Sequence, residues 1–208
     1  MSTCNKCRTA GEKLYLKGSK CRSPKCTLEK RPTSPGQHGK RAGTKKLSEY
    51  GKQLAAKQQV KLMYGMLERQ FKRFFSSASQ QHGITGENLV TMLERRLDNV
   101  IFRLKMAVSR IQARQMIVHG HITVNGAKVD KPSYVVQEGD IVGLTETTLN
   151  NKIFIENVVD KRLGTAIKVP EWLDLQKKDR RGVVLRLPVR ADVTTPIEEH
   201  LIVELYSK

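Results

Sequence analysis

Residues 95–129 read RRLDNVIFRLKMAVSRIQARQMIVHGHITVNGAKV, and this stretch decides the fold. Its pattern predicts helix, turn, helix, and then a hairpin closed by Asn125-Gly126, a dipeptide suited to a tight two-residue turn. Ser109 stands before the second helix with Gln112 three residues on, a capping-box arrangement. Gly120 follows that helix, where a left-handed stop favours glycine. Ile111 and residues 116–118 are its candidate inward positions. Arg110 and Arg114 lie four apart and share one helix face, with His119 further along. Residues 95–128 carry seven Lys or Arg against one acid, Asp98. A compact helical pair with a basic edge suits a phosphate backbone. The same pattern also fits a packed helical pair with a solvated basic face, so the rest of the chain has to decide.

The chain of 208 residues is long enough for two modest domains. Its formal charge is +18 and its mean hydropathy −0.46. A charge of that size opposes compaction unless an anion neutralises it, and nucleic acid is the first candidate. The charge is uneven. Residues 1–75 carry a net +15, residues 95–128 a net +6, and residues 129–208 a net −1. The basic character therefore sits in the N-terminal third and in the central stretch. No run of apolar residues is long enough for a membrane helix. The opening MSTCNKCR lacks the apolar core of a signal peptide, so the expected compartment is a reducing cytoplasm, with no membrane partner.

All four cysteines, Cys4, Cys7, Cys21 and Cys26, fall in the first 26 residues, spaced C-x2-C-x13-C-x4-C. Two close pairs across a short loop match four thiolates on one tetrahedral zinc. Lys6, Arg8, Lys20, Arg22 and Lys25 flank them, and positive neighbours favour the thiolate. Four protein ligands leave no open position, so one structural zinc ion (Zn2+) is expected rather than a catalytic one. Disulfides or free thiols are the bland readings, and an iron–sulfur cluster the minor one; a reducing compartment disfavours disulfides.

Residues 27–46 are rich in Pro, Gly and basic residues and read as a loop that orders along phosphates. From Leu47 a helix is expected, with Ser48 as its N-cap. Val60, Tyr64, Leu67, Phe71 and Phe74 form one apolar stripe, with Gly65 as the place where it bends or breaks. Residues 76–83 read as a linker, and Thr85 opens another helix with the stripe Leu89, Leu93, Leu97. Beyond Gly120 the period becomes two. Strands are expected at 122–124, 134–136, 141–144, 153–159, 183–187 and 201–205.

In chain order, SPGQHG at 34–39, LSEYGKQLAAKQQVKLMYGMLERQFKRFF at 47–75, GITGENLVTMLERRLDNVIFRL at 83–104, SRIQARQMIVHGHITVNG at 109–126, PSYVV at 132–136 and EEHLIVELYSK at 198–208 resemble the uS4 family of bacterial-type small-subunit ribosomal proteins. The likeness spans nearly the whole chain, and the cysteine spacing is similar to that of the zinc-bearing members. It implies an α+β fold: a zinc-binding basic arm at 1–46, a helical domain at 47–94 to which 191–208 returns, and an inserted RNA-binding domain at 95–190. That domain's core module, 95–160, is a helix-turn-helix followed by a small, mostly antiparallel sheet. It implies a structural protein of the 30S subunit that binds 16S rRNA at a helix junction in the 5′ domain and nucleates assembly. It further implies uS5 and uS3 as neighbours near the mRNA entry channel, and a part with uS5 in translational accuracy. Val118 and Ala127 depart from the basic residues usual at those positions.

The candidate RNA contacts are Gln37, His38, Lys40, Arg41, Lys45, Lys46 and Tyr50 in the arm and the start of the helical domain. Arg69, Lys72 and Arg73 follow. In the central stretch they are Arg96, Arg103, Ser109, Arg110, Arg114, His119, His121, Asn125 and Lys128. Arginine can bind phosphate bidentately, and a helix start offers backbone N–H groups. Few aromatics favour recognition of folded RNA by shape and phosphates over base stacking. Two rival classes stand beside this reading. Arg96-Leu97-Asp98 resembles the motif around the catalytic aspartate of pseudouridine synthases, but no separate catalytic domain accompanies it; the other rival is a zinc-finger DNA regulator. Metal analysis of freshly purified protein should return one zinc per chain, and a metal-free protein with intact fold would remove the zinc expectation.

Overall fold

The computed structural model describes residues 3–39, 47–163, 168–193 and 195–207. They form two compact units, residues 1–86 with 195–208 and residues 87–194. The division falls eight residues before the position 94 expected from sequence, inside a helix rather than at its end.

The first unit opens with α1 (Thr3–Ala10), a 3-10 turn (Gly18–Arg22) and the short α2 (Thr27–Lys30). These elements are too short to build a core unaided, and the residues they bury are Cys7, Cys21 and Cys26, with Leu14 and Leu16 from the loop between. The next helix, α3 (Glu49–Met63), starts where Ser48 Oγ accepts from Gly51 N at 3.2 Å. It stops at Gly65, whose φ of +62° closes a paired terminus: Met66 N donates to Lys61 O and Gly65 N to Leu62 O. The expected single stripe is therefore two helices, α3 and α4 (Glu68–Ser79). Val60, Tyr64 and Phe71 are buried as expected, but Leu67 falls at the break and is 78% exposed. Helix α5 (Thr85–Glu94) then carries the chain from one unit to the other.

In the second unit, α6 (Leu97–Arg103) and α7 (Arg110–Val118) pack against each other. Both end in the same paired termination as α3. In α7 the left-handed residue is Gly120, and in α6 it is Lys105, at φ +62°, where a side chain is strained. Strands β1 (Ile122–Val124) and β2 (Ala127–Lys128) follow, with both Asn125 and Gly126 at positive φ, as a mirror-type hairpin turn requires. Then come β3 (Ile141–Leu144), α8 (Glu146–Leu149), and α9 (Lys152–Phe154), which runs through a π turn (Ile155–Asp160) into α10 (Lys161–Leu163). Strands β4 (Leu173–Gln176) and β5 (Arg181–Val184) complete an antiparallel sheet of order β2-β1-β3-β5-β4. Leu97, Ile101, Leu104, Ile117, Ile122, Val142 and Trp172 lie at the centre of its core. Gly182 in β5 is needed there, since a Cβ would meet Leu104 at 2.4 Å.

Three expected strands are absent. Residues 134–136 make one bridge, Val135 to Arg96, and otherwise bind the start of α6 through Leu97 N to Tyr134 O at 2.8 Å. Residues 153–159 are helical. The buried pair Ile155 and Val159 is four apart, a spacing that fits both a strand face and one helical turn, while Ile153 is 75% exposed. Residues 201–205 lie within α11 (Glu199–Tyr206), which returns to the first unit and packs on α3. There Gln53 donates to Glu204 at 2.8 Å, and the Tyr206 ring stacks on Phe75 at 4.4 Å. The C-terminal return and the α+β class both match the sequence reading. Among the described residues no helix is long and apolar enough to cross a membrane.

Lys57 and Lys61 of α3 both donate to Glu68, at 2.5 and 2.8 Å, closing the α3–α4 corner. These bonds hold the Glu68 carboxyl down at about 2, against an ordinary 4.5. A depressed carboxyl stabilises the fold above its unfolded value, and that contribution disappears as pH falls through the folded one. Thermal midpoints should therefore fall between about pH 4.5 and 2, and Glu68→Gln should flatten the decline over that window.

Candidate nucleic-acid interface

Asp98 and Glu94 organise the basic residues of the second unit. Asp98 enters in the first turn of α6, where an acid suits the helix start, and is 2% exposed. Arg96 grips it with two bonds, Nε to Oδ1 at 3.1 Å and NH2 to Oδ2 at 2.7 Å, and Arg114 adds a third at 3.2 Å. Glu94 accepts two bonds from Arg103 and one from Asn99 Nδ2. Asn99 Oδ1 in turn accepts from Arg110 Nε at 2.8 Å, and the Arg110 guanidinium lies 4.8 Å over the Phe102 ring.

This corrects the reading of the central stretch as an open basic face. Arg110 and Arg114 do share a side of α7, but it is the side turned to α6. Arg96 is wholly buried and Arg110 nearly so. A guanidinium in the core, bonded to the Asp98 carboxylate as in Arg96 or to the Asn99 amide as in Arg110, is not presented to a phosphate; Arg114, about a third exposed, is the member of this set that reaches the surface. Ser109 is buried as well. Its Oγ accepts from Gln112 N, and Gln112 Oε1 accepts from Val108 N, one residue earlier than in a strict capping box. The signal for this network was the lone acid among seven bases, which could only stay charged in the core beside arginine. Glu94 and Asn99 carried no such signal.

Other candidates do lie outside. Arg69, Lys72 and Arg73 are exposed along α4, and Tyr50 is exposed at the start of α3. Gln37 and His38 are exposed on a loop that Arg8 holds by donating to the carbonyls of Thr33 and Ser34. Lys40, Arg41, Lys45 and Lys46 fall outside the described residues. Lys17, Lys20, Arg22, Lys25, Lys30 and Arg31 add exposed cations around the cysteines; Lys20, Arg22 and Lys25 were read from sequence as thiolate neighbours, and none of the six as an RNA contact. In the second unit Lys128 is exposed and lies across Gly120, while Asn125 is used by the turn, donating to Asp140 and accepting from Ile141 N. Val118 and Ala127 are exposed and uncharged.

His119 and His121 stand where α7 gives way to β1. Their rings are parallel within 3° at 6.2 Å, and His121 also stacks on Phe154 at 5.1 Å. His121 Nδ1 is 2.9 Å from Thr148 Oγ1. Burial, then the charges of His119 and Lys128, push His121 below its ordinary value. These rings, with Gln112, Gln115 and Met116, line a cavity of about 210 Å³. Phe154 was missed because its segment read as a strand.

The four cysteines are free of disulfides; Cys7, Cys21 and Cys26 are buried and Cys4 is half-buried. Burial is the main cause of a raised Cys7 thiol; charge on Cys21, Cys4 and Cys26 acts in the same direction, and a hydrogen bond from the Leu14 backbone opposes it. Lys17 N donates to Cys21 Sγ at 3.3 Å. Among the described residues no group of three or more His, Cys, Asp or Glu is gathered closely enough to hold a metal.

Two family models match adjoining parts of the chain: the ribosomal protein S4/S9 N-terminal domain over residues 1–94 and the S4 domain over residues 95–142. Relatives named small ribosomal subunit protein uS4 are 52% identical in Thermoanaerobacter sp. (strain X514) and 48% in Halothermothrix orenii, each over 99% of this chain and at least 96% of the relative. The chain belongs to the uS4 family. A uS4A protein of Alkaliphilus metalliredigens is 50% identical over the full chain. The family is structural rather than enzymatic, so Asp98 in its Arg-Leu-Asp tripeptide is an ion-pair centre and not a catalyst.

Asp98→Asn would leave the buried Arg96 without its counter-charge. Removing one partner of a buried pair costs about 3–5 kcal/mol, and chemical denaturation should show a loss of that size. Arg114→Gln, at a partly exposed position, should lose about 1 kcal/mol or less.

Proposed function

We propose that this protein is a structural constituent of the small ribosomal subunit that binds 16S rRNA directly, using exposed cations of its N-terminal third together with the Lys128 edge of the S4 domain. The observation that carries this reading is full-length membership of the uS4 family, joined to a net +15 in residues 1–75 with Arg69, Lys72 and Arg73 exposed on one helix. Buried ion pairs keep the S4 module rigid, so it docks as a preformed surface, and the phosphate neutralisation falls mainly to the N-terminal unit. The finer reading follows the family resemblance. The rRNA site is a helix junction in the 5′ domain, and binding there nucleates 30S assembly. The neighbours are uS5 and uS3 near the mRNA entry channel, and the protein contributes with uS5 to translational accuracy. It works in the cytoplasm, bound to the ribosome.

The zinc reading remains part of this proposal. Its support is the donor set: four free cysteines within the first 26 residues, three of them buried, with backbone N–H groups of Leu14 and Lys17 already bonded to two of the sulfurs. A structural zinc would require the sulfurs to draw closer together. Cys4, Cys7, Cys21 and Cys26 would hold it, and the metal would supply a rigid anchor for the surrounding basic residues.

Neutralising about six phosphates makes affinity fall by roughly a thousandfold between 50 and 200 mM salt. Binding to a 5′-domain 16S rRNA fragment should show that steep loss, and the protein should co-sediment with 30S particles through a high-salt wash once assembled. A flat salt dependence, or release into the wash, would contradict the proposal.

A further inference from the structure

We propose that His119, His121 and Phe154 form a stacking wall for one unpaired RNA base, with Lys128 placed for its phosphate. The inference rests on the rRNA-binding reading above and adds to it a mode of recognition that the low aromatic content argued against.

The wall is a run of three rings: Phe154, then His121 at 5.1 Å, then His119 at 6.2 Å and parallel to it within 3°. Aromatic faces accept any base, because every base presents a π face. The wall is held in place before a ligand arrives. His121 is fixed through Thr148 Oγ1, which is itself 2.8 Å from Thr145 Oγ1. His119 and His121 flank Gly120 at the paired end of α7, where Gly120 N donates to Ile117 O and His121 N to Met116 O.

The wall also borders space. The cavity of about 210 Å³ opens between these rings and α7, with Met116 at its apolar side and the exposed Gln115 amide offering both a donor and an acceptor to a base edge. A charge suited to the backbone sits beside it. The Lys128 chain lies so close over Gly120 that an added Cβ would meet its Nζ at 2.5 Å. Rings, an adaptable amide and a cation within one edge of the module are what a single flipped-out nucleotide needs.

The test uses the full-length protein and the 5′-domain 16S rRNA fragment. Ultraviolet crosslinking followed by trypsin and mass spectrometry should place nucleotide adducts on peptide 115–128, peptide 153–161, or both. His121→Ala should weaken binding about tenfold, whereas His121→Phe, which keeps the plane but not the bond to Thr148, should stay within about twofold of the parent. Circular dichroism and thermal melting of each variant separate this from a packing defect, since a packing role would lower the melting point in step with affinity. Complex formation with no adduct on either peptide, or unchanged affinity of His121→Ala, would overturn the stacking wall while leaving rRNA binding intact. Failure of the unmodified protein to bind the fragment would overturn both.

Discussion

Two buried carboxylates govern how this protein uses its charge. Asp98 and Glu94 sit at the junction of α5, α6 and α7 and gather Arg96, Arg103 and Arg114 directly, with Arg110 joined through Asn99. Charges removed from water are tolerated when they are paired and hydrogen-bonded. The network therefore ties α5, α6 and α7 together and takes Arg96 and Arg110 out of the surface. The sheet packs into the same core as α6, with Trp172 and Leu104 among its wholly buried members. What remains outward at the end of α7 is a small platform of two histidines and a lysine.

Under the proposed rRNA-binding reading this division gives the two units different roles. The N-terminal unit buries Val60, Tyr64 and Phe71 besides three cysteines and carries many exposed cations. The S4 module has one continuous core. On that reading long-range attraction arises mainly from the first unit, while the second supplies shape and a few specific contacts.

Sequence reading recovered the parts governed by local rules. The caps at Ser48 and Ser109, the Gly120 stop, the Asn125-Gly126 turn and the outward run Arg69, Lys72, Arg73 are each set by neighbours within four residues. Readings failed where tertiary contacts decide. Ile155 and Val159 fit strand and helix equally by spacing, and only their packing beside the sheet selects the helix. Residues 201–205 read as a strand, yet burial of Ile202 against α3 and the stacking of Tyr206 make α11 a helix. Arg96 and Arg110 read as surface charge because their buried partners come from Asp98 and from Asn99, and positive sign by itself does not tell a phosphate contact from a core ion pair. The cysteine spacing pointed to a metal, and among the described residues the thiols are not gathered into a ligand set.

The measurement that bears most directly on the claim of inward and outward arginines compares charge variants by both melting point and the salt slope of rRNA binding. Replacing Arg69, Lys72 and Arg73 together by Gln should lower the slope by about three and leave the melting point nearly unchanged, while Arg110→Gln should lower the melting point and leave the slope unchanged. The reverse pattern, with the slope falling in Arg110→Gln and unmoved in the triple variant, would contradict the account.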